Sequence, residues 1–315
     1  MKNTPPWKRL LLNLYYHASL PSRARRARQY AQQGRAPVIV FFWHRIADDR
    51  ATPWTLSNEL FARQIAWLRK HCRLVSLEEA HRRLQLKYNR KPCVALTFDD
   101  GYADNCAHAV PLLIEHGIPL TYFVTLRNII TGEPFAHDLK LGHNLAPNTI
   151  EQLRRMAAAG VEIGSHTYTH PDLASIADRR TLRRELIAAK DELQAAVGRP
   201  VRYFAFPFGR YEHLSPAAFE TAKEAGYAAV CSAYGGYNFP GDDSFHLQRI
   251  PVDELMIRLK NWATIDPRKI GTRRFDYVGG GEQGAAGDGQ SEQLTCGLPG
   301  VESTYPMPES FVPNM

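Results

Sequence analysis

Apolar and polar positions along the chain follow two alternating rhythms. Val38-Ile39-Val40-Phe41-Phe42 is an unbroken run of β-branched and aromatic residues, the pattern of a strand buried on both faces. The next apolar positions, Leu60, Phe61, Ile65 and Leu68, have helical spacing, and Ser57 stands where it can cap that helix. The change of period then recurs. Strand-like runs at 74–77, 94–96, 120–125, 161–163, 203–206, 228–231 and 247–250 alternate with helix-like stretches at 78–86, 106–116, 149–160, 178–198 and 216–225. Thr149-x-x-Gln152 has the form of a capping box. Asp178 can cap a long helix whose face is Leu182, Leu186, Leu193 and Val197, and Asp253 a last one through Leu255, Leu259 and Trp262. Gly117, Gly160, Gly198 and Gly226 stand at helix ends. An alternation of about seven or eight strand–helix units predicts an α/β fold, a parallel barrel with helices outside. Residues 126–148 break the rhythm as a longer, irregular loop of the kind that borders a site.

Charge divides the chain. The net charge is +7, yet residues 1–36 hold eight Lys and Arg and no acid, which leaves 31 basic against 32 acidic residues in the remainder. The chain thus divides into a basic amphipathic arm (1–36), a barrel (37–270) and a tail (271–315). Gly279-Gly280-Gly281, further glycines and three prolines from Pro306 mark that tail as disordered. Trp7, Leu10, Leu11, Leu12, Leu14, Tyr15 and Tyr16 give the arm apolar contact. It can therefore lie on an anionic membrane surface, or pack on the barrel and show its arginines to water. No nucleic-acid reader motif accompanies the charge, so a nucleic-acid partner is not expected. The apolar run at 10–14 is too short to span a bilayer, and no small-residue cleavage site follows it. Five cysteines without a CxxC spacing look like reduced thiols, Cys93 and Cys231 among them as core residues. Together these features suggest a cytoplasmic protein, peripheral on the membrane if the arm docks there.

Two stretches carry chemistry. Leu96-Thr97-Phe98-Asp99-Asp100-Gly101-Tyr102 ends a buried strand in adjacent carboxylates, which calls for a nearby cation. Ile163-Gly164-Ser165-His166-Thr167-Tyr168-Thr169-His170 places two histidines four apart after another strand, able to converge on one metal if the turn between them is helical. Two imidazoles and one carboxylate are three protein ligands with a position left open, the count of a catalytic zinc site. His44, Asp99, Asp100, His166 and Phe208 all fall at C-terminal ends of predicted strands, the face that carries active sites in parallel barrels.

In this order the two motifs resemble the NodB-type polysaccharide deacetylases, carbohydrate esterase family four, over roughly residues 38–265. The family's TFDDG matches residues 97–101 and its HxxxH matches His166 and His170. The resemblance implies an irregular (β/α) barrel of about seven parallel strands. It also implies a metal-dependent hydrolase that removes N-acetyl groups from an amino-sugar glycan. Asp100, His166 and His170 would hold Zn²⁺, or another divalent ion such as Co²⁺ or Mn²⁺, and Asp99 would be the general base. Phe206-Pro207-Phe208-Gly209 resembles the third motif, in which the N–H of Phe208 would bind the oxyanion, since Pro207 has none to donate.

The chain departs from the family at two places. Ala205 stands where many members have an arginine that orients the acid pair; Arg249 or Arg45 are the possible substitutes. The Leu-x-x-His that supplies the general acid is missing near residue 250. Some members of the branch acting on poly-N-acetylglucosamine place that histidine after the first strand. Phe42-Trp43-His44 looks like that arrangement and makes His44 the expected acid, with His246 the alternative. Tyr102, Trp43, Pro207 and Asn238 are expected to line a sugar groove. The rival readings are an amidohydrolase of this fold acting on a small non-sugar amide, and a non-catalytic carbohydrate-binding or membrane-surface scaffold.

Overall fold

β-Branched and aromatic runs too apolar for a water-facing edge form the staves of one curled sheet. The computed structural model describes residues 4–278. The strands are β1 (Val38–Trp43), β2 (Arg45–Ile46), β3 (Thr55–Leu56), β4 (Cys93–Phe98), β5 (Leu120–Val124), β6 (Glu162–Ser165), β7 (Tyr203–Ala205), β8 (Ala229–Cys231), β9 (His246–Leu247) and β10 (Ile250–Pro251). β2 and β3 pair only with each other. The other eight run in the order β10-β1-β4-β5-β6-β7-β8-β9, and every pairing is parallel. β9 and β10 are two halves of one stretch, interrupted at Gln248 and Arg249. One half pairs with β8 and the other with β1, so a single broken stave meets both edges of the sheet. Six whole staves and one broken stave make up the seven-strand (β/α) barrel.

Side-chain alternation sorts each stave into an inner and an outer face. Val38, Val40, Cys93, Ala95, Phe123, Tyr203, Ala205, Ala229, Cys231 and Leu247 form the inner cluster. Ile39, Phe41, Trp43, Val94, Leu96, Phe98, Tyr122, Phe204 and Ile250 face the helices. On β1 this parity sends Trp43 outward. It stacks on Phe98, meets Phe61 edge-on, and donates Nε1–H to Gln64 at 3.0 Å. Trp43 is therefore a core residue and lines no groove.

Most local signals act as the chain chemistry requires. Ser57 caps Asn58–His71, Thr149 and Gln152 form a reciprocal capping box on Ile150–Ala158, and Asp178 caps Arg179–Arg183. Other stretches differ from expectation. Residues 74–77 are not a strand; Leu74 makes a single bridge to Val94, and Ser76 caps the helix Leu77–Gln85. The last helix, Met256–Ala263, starts after Leu255, and Asp253 holds it from outside by accepting the Leu255 N–H at 2.8 Å. Within the long loop, Leu126–Thr131 and Ala136–Leu139 are short helices.

The basic arm is a helix, α1 (Pro6–Gln32), packed along Met256–Ala263. Its anchor is Arg23, which is buried. The guanidinium donates to the Asn261 carbonyl at 2.6 Å, to Asn261 Oδ1 at 2.5 Å and to Thr264 Oγ1 at 3.1 Å. Tyr15 donates its hydroxyl to Asp266 at 2.8 Å, and Tyr30 packs on Phe239. At the other end, the tail expected from residue 271 begins later. Tyr277 stacks on Phe219 at 4.0 Å and Arg274 pairs with Asp242. The glycine- and proline-rich remainder of that tail lies outside the described residues.

His246 sits on the outer face of β9, against Phe219 and Tyr234, with Nε2 2.9 Å from Ser232 Oγ. It is 1% exposed, and Leu247, the next residue, takes the inward position. His246 thus points away from the barrel mouth and is not a candidate general acid. Burial, reinforced by the charge of Arg274, pushes it down to about 3. An unfolded histidine titrates near pH 6.5. Between those values the unfolded chain holds a proton that the folded chain lacks, so stability is full above about pH 6.5 and is lost as pH falls below it. Urea unfolding at neutral and mildly acidic pH should show His246→Asn losing less stability on acidification than the parent, by up to about 1.4 kcal/mol per pH unit. Equal losses would mean the ring is not held neutral.

Candidate active site

The inward parity of β4 runs through Cys93, Ala95 and Thr97 to Asp99 just past its end. Asp99 therefore looks into the barrel mouth. The broken stave has the same parity, Leu247 then Arg249, so Arg249 enters the mouth from the opposite edge. The two meet as a bidentate pair: Arg249 donates to Asp99 Oδ1 at 2.6 Å and to Oδ2 at 2.8 Å. A further guanidinium N–H reaches Thr97 Oγ1 at 3.2 Å and Nε donates to the Ser232 carbonyl at 3.1 Å. The cation lies over the rings of Phe42 at 4.5 Å and Phe123 at 5.2 Å. Arg249 thus clamps Asp99 from another strand, where Ala205 has no side chain that could. Arg45 does not share it: its guanidinium is bound to Asp104 at 2.6 Å and Asp49 at 2.5 Å, away from Asp99.

The neighbouring carboxylate turns the other way because its backbone does. Asp100 has φ +72° and Gly101 +102°; only the second is cost-free, since a side chain in that region is disfavoured. A Cβ on Gly101 would also crowd Val124 at 3.1 Å. The twist aims Asp100 Oδ1 at His166 Nε2, 3.5 Å away, and at His170 Nε2, 3.3 Å away. One donor atom from each of the three lies within 4.8 Å of the others. His166 and His170 converge without the helical turn that their spacing would have needed in regular backbone. Thr167 (φ +69°) and His170 (φ +63°) are both left-handed, and Thr167 Oγ1 accepts the His170 N–H at 2.9 Å. Strained residues held this firmly are typical of functional sites.

Glu185 holds that turn in place. It is buried in a π-helical segment, Arg184–Ala188, and accepts from the Tyr168 and Thr169 N–H groups at 2.9 and 2.8 Å and from the Thr169 hydroxyl at 2.7 Å. His166 Nδ1 is 2.7 Å from the Ala205 carbonyl, so Nδ1–H donates there and Nε2 keeps its lone pair for the site. Burial pushes His166 down to about 4, which keeps it neutral. Burial alone would raise the Asp100 carboxyl. The hydrogen bond from His170 and the charges of His44, His170 and His137 outweigh burial and hold it well below the carboxylate range. Two imidazole nitrogens, one with its tautomer fixed, and an ionised carboxylate at one point fit a divalent cation.

His44 follows β1 at the mouth. Its carbonyl accepts from Asn105 Nδ2 at 2.7 Å, its ring lies against Phe42, and its field reaches Asp100. Phe208 has φ +58° and packs its ring on His170 at 5.1 Å; among the described residues no acceptor takes its N–H. Pro207 is buried beneath it. Two further groove candidates are displaced. Asn238 is buried at the opposite end of the barrel, exchanging backbone bonds with Val38 and accepting the Gln248 N–H at 2.8 Å. Tyr102 is fully buried as the hub of a network. Its hydroxyl accepts from Trp54 Nε1 at 2.9 Å, donates to Asp138 Oδ2 at 2.8 Å, and lies 2.8 Å from His137 Nε2. His137 and Asp138 were not singled out from sequence. They arrive on the 126–148 loop, and His137 Nε2 stands 3.9 Å from Asp100 Oδ2. Burial pushes Asp138 up to about 7 and His137 down to about 4.

Removing one member of a buried ion pair strands the other. Arg249→Met should destabilise the protein by about 3–5 kcal/mol, whereas Asp99→Asn with Arg249→Met should recover much of that loss in chemical unfolding. Additive losses would mean the pair is not coupled. Glu185→Gln should weaken divalent-ion affinity about 10–100-fold in chelator competition while the barrel stays folded.

Residues 87–230 match the family model for polysaccharide deacetylase. A chitooligosaccharide deacetylase of Sinorhizobium fredii is 34% identical over 141 residues, 44% of this chain and 56% of that protein. The chain spans a little over half the length of curated relatives such as this one. The structure of IcaB from Ammonifex degensii superposes with a TM-score of 0.62 at 24% identity, over 73% of this chain and 97% of that one. Streptococcus pyogenes deacetylase PplD superposes at 0.59 with 22% identity, over 70% and 95%. The fold, the paired acids after its fourth strand and the matched segment agree: residues 87–230 are similar to the polysaccharide deacetylase family.

Proposed function

We propose that the protein hydrolyses N-acetyl groups of an amino-sugar glycan, releasing acetate and a free amine, with a divalent ion, Zn²⁺ in the first instance, held by Asp100, His166 and His170. The observation that carries this reading is Asp99, clamped by Arg249 beside a cluster of donors suited to a cation. The deacetylases named among the chain's relatives support the substrate class.

The bound ion supplies Lewis acidity toward water and toward the amide carbonyl. Asp99 takes a proton from the attacking water. Its two oxygens are fixed by the bidentate guanidinium, so it meets the water in one orientation, and the cation offsets the negative charge of a second carboxylate one residue away. The Phe208 N–H faces the developing oxyanion as a preorganised donor. His44, at the mouth, delivers a proton to the departing nitrogen. His137 stands at the wall of the site, locked by Tyr102, and limits how the sugar can enter.

Acetate release from acetylated chitooligosaccharides, other acetylated glycans, lipid-linked precursors and small cyclic amides is the direct test. Activity confined to the small amides would overturn the glycan reading. Asp99→Asn should lower kcat by about 10²–10⁴-fold with ion content unchanged by elemental analysis. His166→Ala should lose the ion itself. Full turnover by Asp99→Asn would remove it from the role of base.

A further inference from the structure

The outward face of α1 carries a continuous apolar stripe. Trp7, Leu10, Leu11 and Leu14 are spaced i, i+3, i+4 and i+7 and are 58%, 60%, 55% and 58% exposed. The opposite face is already committed to the barrel through Arg23, Tyr15 and Tyr30. The stripe is therefore not a helix face waiting to fold back, and within the described residues nothing covers it. About three turns further on, the same line of the helix continues as exposed Arg25 and Arg28, flanked by Arg26, with Lys8 and Arg9 beside the apolar part.

Three partners could cover such a face, and charge separates them. A second copy would set two arms of eight cations and no acids against each other. Nucleic acid would meet the cations but would leave four large apolar side chains in water. An anionic bilayer rewards both: the rings and leucines enter the acyl boundary while the arginines meet headgroups. No helix among the described residues is long and apolar enough to cross a membrane, so the helix would lie in the interface plane.

We propose that α1 is an in-plane docking helix for the surface of an anionic lipid bilayer, with Trp7, Leu10, Leu11 and Leu14 as the inserted residues. The stripe lies toward the catalytic end of the barrel. α1 ends five residues before β1 starts, so it runs back along the staves, about 40 Å in length. Arg9 and Asn13 share a surface pocket with Ser57, Leu60, Glu254 and Met256, which follow the ends of β3 and β10.

The test is flotation of the whole chain with vesicles of phosphatidylcholine alone or mixed with phosphatidylglycerol, at low and high salt. The protein should float with the mixed vesicles at low salt and release at high salt. Leu11→Glu with Leu14→Glu should cut binding by about tenfold or more. Both positions are exposed, so thermal unfolding and divalent-ion content should stay at parent values. Failure to float with the mixed vesicles overturns the proposal, as does equal flotation of the double variant. A dimer in light scattering that the same double substitution dissolves would assign the face to a second copy and overturn it too. The glycan activity plays no part in any of these outcomes.

Discussion

A guanidinium buried in the mouth of a barrel needs a carboxylate, and a buried carboxylate needs a cation. In this protein each answers the other: Arg249 and Asp99 meet at 2.6 and 2.8 Å with both side chains out of water. The pair sets much of the site. It requires the broken stave to reach both sheet edges and brings Phe42 and Phe123 under the cation. It also fixes Asp99 in one orientation. Asp100, one residue on, is then free to take a different role because its left-handed backbone points it elsewhere.

The half of the site suited to a cation is built on different physics. Asp100, His166 and His170 are drawn together by backbone conformations that cost energy, and three supports hold those conformations in place. Glu185 grips the 167–169 turn, the Ala205 carbonyl fixes the His166 tautomer, and the Thr167 hydroxyl closes the loop on His170. The Ala205 contact uses a backbone carbonyl, which any residue at that position provides.

Much of this was legible in sequence, for identifiable reasons. Strands buried on both faces announce themselves as unbroken apolar runs, and paired acids followed by glycine mark a strand end that faces solvent or a site. Alternation was informative and underused. Counting from Val38 and Val40 places His44 inward and Trp43 outward, and counting from Leu247 places Arg249 inward and His246 outward. The route by which His166 and His170 converge was not legible, because spacing alone cannot reveal positive φ at threonine and histidine. Glu185 was hidden on a helix face that reads as ordinary amphipathic surface, since its partners are backbone groups. His137 and Asp138 lay in a loop marked as bordering the site, but no periodicity singles out residues there. Tyr102 looked like a groove ring because its burial depends on that same loop folding over it.

The interrupted stave has one more consequence. Asp100, His166 and His170 come from the turns after β4 and β6, whereas Arg249 is carried by the stretch that lies in the seam between β8 and β1. Opening that seam would leave the Asp100, His166 and His170 cluster in place and remove the counter-charge beside Asp99. The donor cluster and the counter-charge of Asp99 are thus held by separate parts of the chain, and the seam between β8 and β1 is what brings them into one site.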